Sequence, residues 1–73
     1  MDTPARIKLG RRIKKLREEA KLTQEKLAMQ VGIDYKYLQK IEGKTPPAIR
    51  IDTIEKIAKA LGITPSKLLD FDK

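Results

Sequence analysis

Apolar residues recur at three- and four-residue spacing along the whole chain, and no stretch alternates apolar with polar as a half-buried strand would. The pattern predicts an all-α protein of five helices. The first is expected over residues 4–20, with Thr3 as N-cap, Pro4 at the first helical position, and Leu9, Ile13, Leu16 and Ala20 sharing one face. Gly10 falls inside this helix, where it costs roughly 1 kcal/mol against alanine, and its presence points to another element packed close against it.

The next two helices are short, and their starts share one signature. In Leu22-Thr23-x-x-x-Leu27, Thr23 caps and Leu22 staples onto Leu27; in Ile33-Asp34-x-x-x-Leu38, Asp34 caps and Ile33 staples onto Leu38. Gly32 lies between them, where a left-handed residue would end one helix and turn the chain sharply into the next. The third helix is expected to stop near Glu42, because Gly43 follows and Pro46-Pro47 cannot continue a helix. After a loop over residues 43–50, Ile54, Ile57, Ala58 and Leu61 form the apolar face of a fourth helix, with Asp52 and Glu55 spaced as a capping box and Gly62 as its stop. The staple pattern then returns in a fifth helix, with Ile63, Thr64 as cap, Pro65 at the first position, and Leu68.

Length and composition narrow the function. Seventy-three residues are expected to form a single domain, 1–73. Without Cys or His, disulfides, the usual zinc sites, thiol nucleophiles and His-based triads are excluded, so neither a metal nor a cofactor is expected and the chain reads as no enzyme. No apolar run approaches the roughly 18 residues that would suggest a membrane span, and the N-terminus lacks a signal-peptide pattern, which implies a cytoplasmic protein with no membrane partner.

Charge sharpens this further. Lys and Arg number 17 against 10 Asp and Glu, a net charge of +7, which suits a polyanionic partner. The surplus is local: residues 1–21 carry eight basic and three acidic residues, residues 43–50 two and none, while 22–42 and 51–73 are each balanced.

Residues 23–42 thus make a helix, a tight glycine turn and a second helix, the helix-turn-helix plan. The run Leu22-Thr23-Gln24-Glu25-Lys26-Leu27-Ala28, then Val31-Gly32-Ile33, Ile41-Glu42-Gly43-Lys44 and Ile57-Ala58-Lys59-Ala60-Leu61-Gly62-Ile63, resembles the Cro and phage-repressor type of helix-turn-helix protein, the XRE family. The resemblance covers residues 7–69. One departure is visible: Gly43 follows Glu42 one position earlier than is usual, and extra residues precede the fourth helix.

The resemblance implies a five-helix phage-repressor-like fold whose third helix enters the major groove of double-stranded DNA, generally as a homodimer on a palindromic site. Tyr35, Lys36, Gln39 and Lys40 would then read base edges. Lysine can donate to guanine, and a tyrosine ring can meet a thymine methyl. Gln24, with the N-terminus of the second helix, would clamp a phosphate. Further phosphate contacts fall to Tyr37, Lys14, Arg17, Lys44, Thr45 and Arg50. Arg17 and Glu42 match an ion pair that links the first helix to the end of the third. Lys8, Arg11, Arg12 and Lys15 are assigned to long-range attraction, Met29 to packing, and Leu68, Leu69 and Phe71 to the dimer interface.

The function implied is a sequence-specific transcriptional regulator, a repressor. Small members of the family include Cro-like repressors, controller proteins of restriction-modification systems, and antitoxins. The antitoxin alternative would add a toxin protein as partner.

Overall fold

The computed structural model describes residues 3–70, so Phe71 lies outside the described residues. Five helices follow in order: α1 Ala5–Glu19, α2 Gln24–Val31, α3 Tyr35–Ile41, α4 Ile51–Ala60 and α5 Pro65–Leu68, with no strand among the described residues. The core is their shared apolar face: Leu9 and Ile13 from α1, Leu27, Ala28 and Val31 from α2, Leu38 and Ile41 from α3, Ile57 and Ala58 from α4, and Leu68 from α5. Within this core α2 packs against α3 and α4, α4 against α5, and α1 against α3 and α5.

Side-chain caps open three of the helices. Thr23 Oγ1 accepts from the Lys26 amide at 3.1 Å, Asp34 Oδ1 from the Lys36 amide at 2.8 Å, and Thr64 Oγ1 from the Lys67 amide at 3.2 Å. Each satisfies one amide that the first helical turn leaves without a carbonyl. Leu22, Ile33 and Ile63, the residues just before these caps, lie half-buried against the core.

Two starts differ from expectation. α1 begins at Ala5 with Pro4 as its N-cap and no side-chain cap, so Thr3 does not play that part. Proline fixes its own φ near the value a helix start needs, and the Ile7 and Lys8 amides both find the Pro4 carbonyl, at 3.0 and 3.2 Å. α4 begins at Ile51 with Arg50 as N-cap, which places Asp52 inside the first turn and leaves the Asp52/Glu55 capping box unformed. Asp52 pairs instead with Arg50 at 3.3 Å, on the surface.

Three helix ends use a left-handed residue. Gly32 and Gly62 have φ of 83° and 74°, and Ile33 and Ile63 return their amides to the Ala28 and Ala58 carbonyls, both at 3.0 Å. The third is Lys21, at φ 59° a side-chain-bearing residue in glycine's place. Its amide reaches Glu18 at 3.0 Å and the Leu22 amide reaches Arg17 at 3.1 Å, the paired closure of a Schellman turn. Ala20, assigned to the apolar face of α1, lies in this turn and is exposed.

Candidate nucleic-acid interface

α2 and α3 are joined by three residues, and the left-handed Gly32 turns the chain between them. Leu38 and Ile41 are fully buried, which fixes the roll of α3 and turns Tyr35, Lys36, Gln39 and Lys40 outward, all four exposed. Gln39 Nε2 donates to the Tyr35 hydroxyl at 2.9 Å, an i, i+4 pair along the outer face. The Tyr35 proton, the second Gln39 N–H and the Gln39 carbonyl oxygen are not used in this bond, so the pair keeps two donors and one acceptor alongside the ammonium groups of Lys36 and Lys40. Tyr37 sits on the flank of α3, half-buried against the core.

The two ends of α3 are held differently. At its start Asp34 caps; at its end Glu42 is gripped from two sides. Arg17 Nε and Nη2 donate to Glu42 Oε2 and Oε1 at 2.9 and 3.0 Å, and Arg17 Nη1 donates to the Leu22 carbonyl at 2.7 Å. Gln24 Nε2 donates to the same Glu42 Oε1 at 3.0 Å. A carboxylate only accepts, so the amide nitrogen must be the atom that faces it, and its second N–H is left for another acceptor. One side chain thus joins α1, the first residue of α2 and the end of α3. The hydrogen bond to Glu42 is the leading cause that holds the Arg17 guanidinium above its usual pKa, against the opposing effect of burial.

Gly10 completes the placement of α3. A β-carbon there would collide with the Ile41 carbonyl oxygen and would sit 3.2 Å from the Ile41 carbonyl carbon and 3.6 Å from the Glu42 α-carbon. Only a residue without a side chain lets α1 approach the last turn of α3 this closely.

The remaining expected contacts divide. Gln24 stands at the first position of α2, and Lys14, Lys44 and Thr45 are exposed around the junction of α1 with the loop after α3. Arg50 is exposed but paired with Asp52, at the far end of that loop. Arg17 is 8% exposed with three N–H groups engaged inside the protein, so its geometry is that of a strut and leaves little surface for a phosphate. Leu68 is fully buried in its own core and has no surface to give a second copy, whereas Leu69 is 44% exposed. Met29, expected to pack, is 75% exposed, on the wall of an open cleft that it shares with Ile33 and Tyr35. Ile51, 76% exposed at the first position of α4, is an apolar surface residue that periodicity alone does not single out. Its spacing from Ile54 and Ala58 resembles that of a core position, and only the helix start leaves it outside.

Two capped helices set across a glycine turn, the second buried on one side and polar on the other, define a helix-turn-helix protein. The family model described as a helix-turn-helix domain matches residues 10–70, and the chain belongs to that family. It is similar to the control protein C.BamHI of Bacillus amyloliquefaciens, 38% identical over 72 residues that cover 97% of this chain and 88% of the relative. Among solved structures, the restriction-modification controller protein C.AhdI from Aeromonas hydrophila aligns with a TM-score of 0.81 and 35% identity over 86% of this chain and 94% of its own. SinR, a master regulator for biofilm formation solved in complex with DNA, aligns with a TM-score of 0.79 and 32% identity over 85% of this chain and 98% of that chain.

Proposed function

We propose that the chain is a sequence-specific DNA-binding regulator of transcription, a repressor of the controller type, that binds a palindromic operator as a homodimer. α3 enters the major groove, Tyr35, Lys36, Gln39 and Lys40 meet base edges, and Gln24 with the amides of the first turn of α2 takes a phosphate. Lys14, Lys44, Thr45, Tyr37 and Arg50 supply further backbone contacts. The observation that carries this reading is the junction at Glu42, which ties Gln24, the phosphate-binding position, to the end of α3, the base-reading helix. A phosphate held by Gln24 then sets where α3 lies in the groove. Leu69, with Ile51 as a second exposed apolar side chain, is assigned to pairing between two copies, and a regulator of this kind acts on DNA in the cytoplasm. No helix among the described residues is long and apolar enough to cross a membrane. The antitoxin alternative gains no support from these relatives, which are named as controllers and regulators.

The test is a reporter gene whose promoter carries a duplex site selected by the protein. Expression is expected to fall as the chain is induced, and to recover when the site is scrambled. Equal expression from the intact and scrambled sites would refute the assignment.

A further inference from the structure

α1 carries more positive charge than its internal contacts use. Arg17 is committed to Glu42 and Leu22, and Arg12 donates from Nη2 to the Lys67 carbonyl at 3.0 Å. Arg6, Arg11 and Lys14 instead converge with Lys44 on two clefts. The first, about 330 Å³, has Arg11, Lys14 and Lys44 on its walls; the second, about 380 Å³, has Arg6, Lys44 and Thr45. Ile7 and Lys44 line both, so the two form one groove between the N-terminal half of α1 and residues 43–46. Glu42 is the one carboxylate on either lining, and its oxygens already accept from Arg17 and Gln24.

The shape and the charge select the ligand. Four cations held along one groove repel one another, and an anion that spans them removes that repulsion. From Arg6 to Lys14 is eight residues of helix, about 12 Å. A single phosphate cannot bridge such a length, while one strand of duplex DNA presents roughly three phosphates along it. The groove is also continuous with the interface described above. Its wall includes Glu42, the residue that orients Gln24, so it begins where the α2 phosphate position ends.

We propose that this groove seats the sugar-phosphate backbone of the DNA flanking the recognised half-site, with Arg6 and Arg11 as contacts beyond those of the helix-turn-helix itself. The inference rests on the DNA-binding reading, and its test separates the two. The chain is titrated onto two duplexes carrying the same selected site, one extended by flanking sequence and one trimmed to the site, over a range of salt. Both arginines are exposed, so the double variant R6Q/R11Q is expected to keep the melting temperature of the parent. On the extended duplex the double variant is expected to bind more weakly, with a salt slope shallower by about 1.8 in log units, about 0.9 for each phosphate that is no longer neutralised. The parent's advantage then shrinks about twelvefold between about 50 and 200 mM salt. On the trimmed duplex the two proteins are expected to bind alike, and R6K/R11K is expected to restore the slope. Equal affinity and slope for parent and double variant on the extended duplex would overturn the groove alone. A loss of equal size on both duplexes, with altered base preference, would move the arginines to the half-site and overturn the flanking assignment. If the parent itself prefers no duplex, the DNA-binding reading fails, and the groove fails with it.

Discussion

Arg17 and Glu42 meet in a two-pronged ion pair, 2.9 and 3.0 Å, that ties the last turn of α1 to the residue closing α3. The side chains are only 10% and 2% exposed, so the pair is shielded from screening by salt. Removing Glu42 strands a guanidinium and an amide together. Glu42→Ala is therefore expected to lower stability by about 3–5 kcal/mol and to weaken DNA binding, with the melting temperature and a duplex titration as the measurements. An unchanged melting temperature would mean that the pair holds nothing in place.

Lys21 presents the opposite case, a residue whose backbone is strained where glycine would relax it. At φ 59° an L side chain costs roughly 1 kcal/mol, and nothing in the turn needs the lysine. Lys21→Gly is expected to raise stability by about 1 kcal/mol, which is roughly 4–8 °C in a domain of this size. A fall in the melting temperature would contradict the turn geometry.

Gly10→Ala tests the close approach of α1 to α3. Alanine improves helix propensity by about 1 kcal/mol, yet its methyl would run into a backbone carbonyl that cannot step aside as a side chain can. The clash is expected to win, with a net loss of about 1–3 kcal/mol seen in denaturant unfolding. A more stable variant would show that the two helices do not meet as described.

Leu68 and Leu69 are neighbours with different duties. Leu68→Ala removes a fully buried side chain and is expected to cost about 2–5 kcal/mol of stability. Leu69→Glu is expected to leave the fold intact and shift a dimer towards monomer in sedimentation. A Leu69 variant that pairs as well as the parent would take this residue out of the interface.

Much of the fold is legible in the sequence because the signals are local. Thr23, Asp34 and Thr64 each cap the helix they precede, and Gly32 and Gly62 each sit left-handed where a helix stops. What the sequence hides depends on contacts between distant residues. The burial of Leu68 is set by where α4 and α1 place α5, and the amphipathic spacing that marks it as apolar cannot say whether the apolar neighbour is its own core or a second copy. The Gln24 contact to Glu42 joins residues 18 apart, so each residue can be placed separately while their link stays hidden. Asp52 and Glu55 have the spacing of a capping box, but with Arg50 as N-cap the helix starts two residues too early for it to form. Lys21 escapes notice for the simplest reason, since lysine is not a residue that marks a left-handed turn.

The most direct test of the central claim is selection of bound sequences from random duplex DNA, run side by side with the parent, Lys36→Ala and Gln24→Ala. The parent is expected to enrich an inverted repeat whose half-sites lie about one helical turn, 34–36 Å, or a multiple of it, apart. Lys36→Ala is expected to relax the preference at the same position of both half-sites, at a cost of about 1–3 kcal/mol, while Gln24→Ala weakens every sequence alike and keeps the motif. Enrichment of no motif by the parent, or an identical motif from Lys36→Ala at undiminished affinity, would contradict recognition by the outer face of α3.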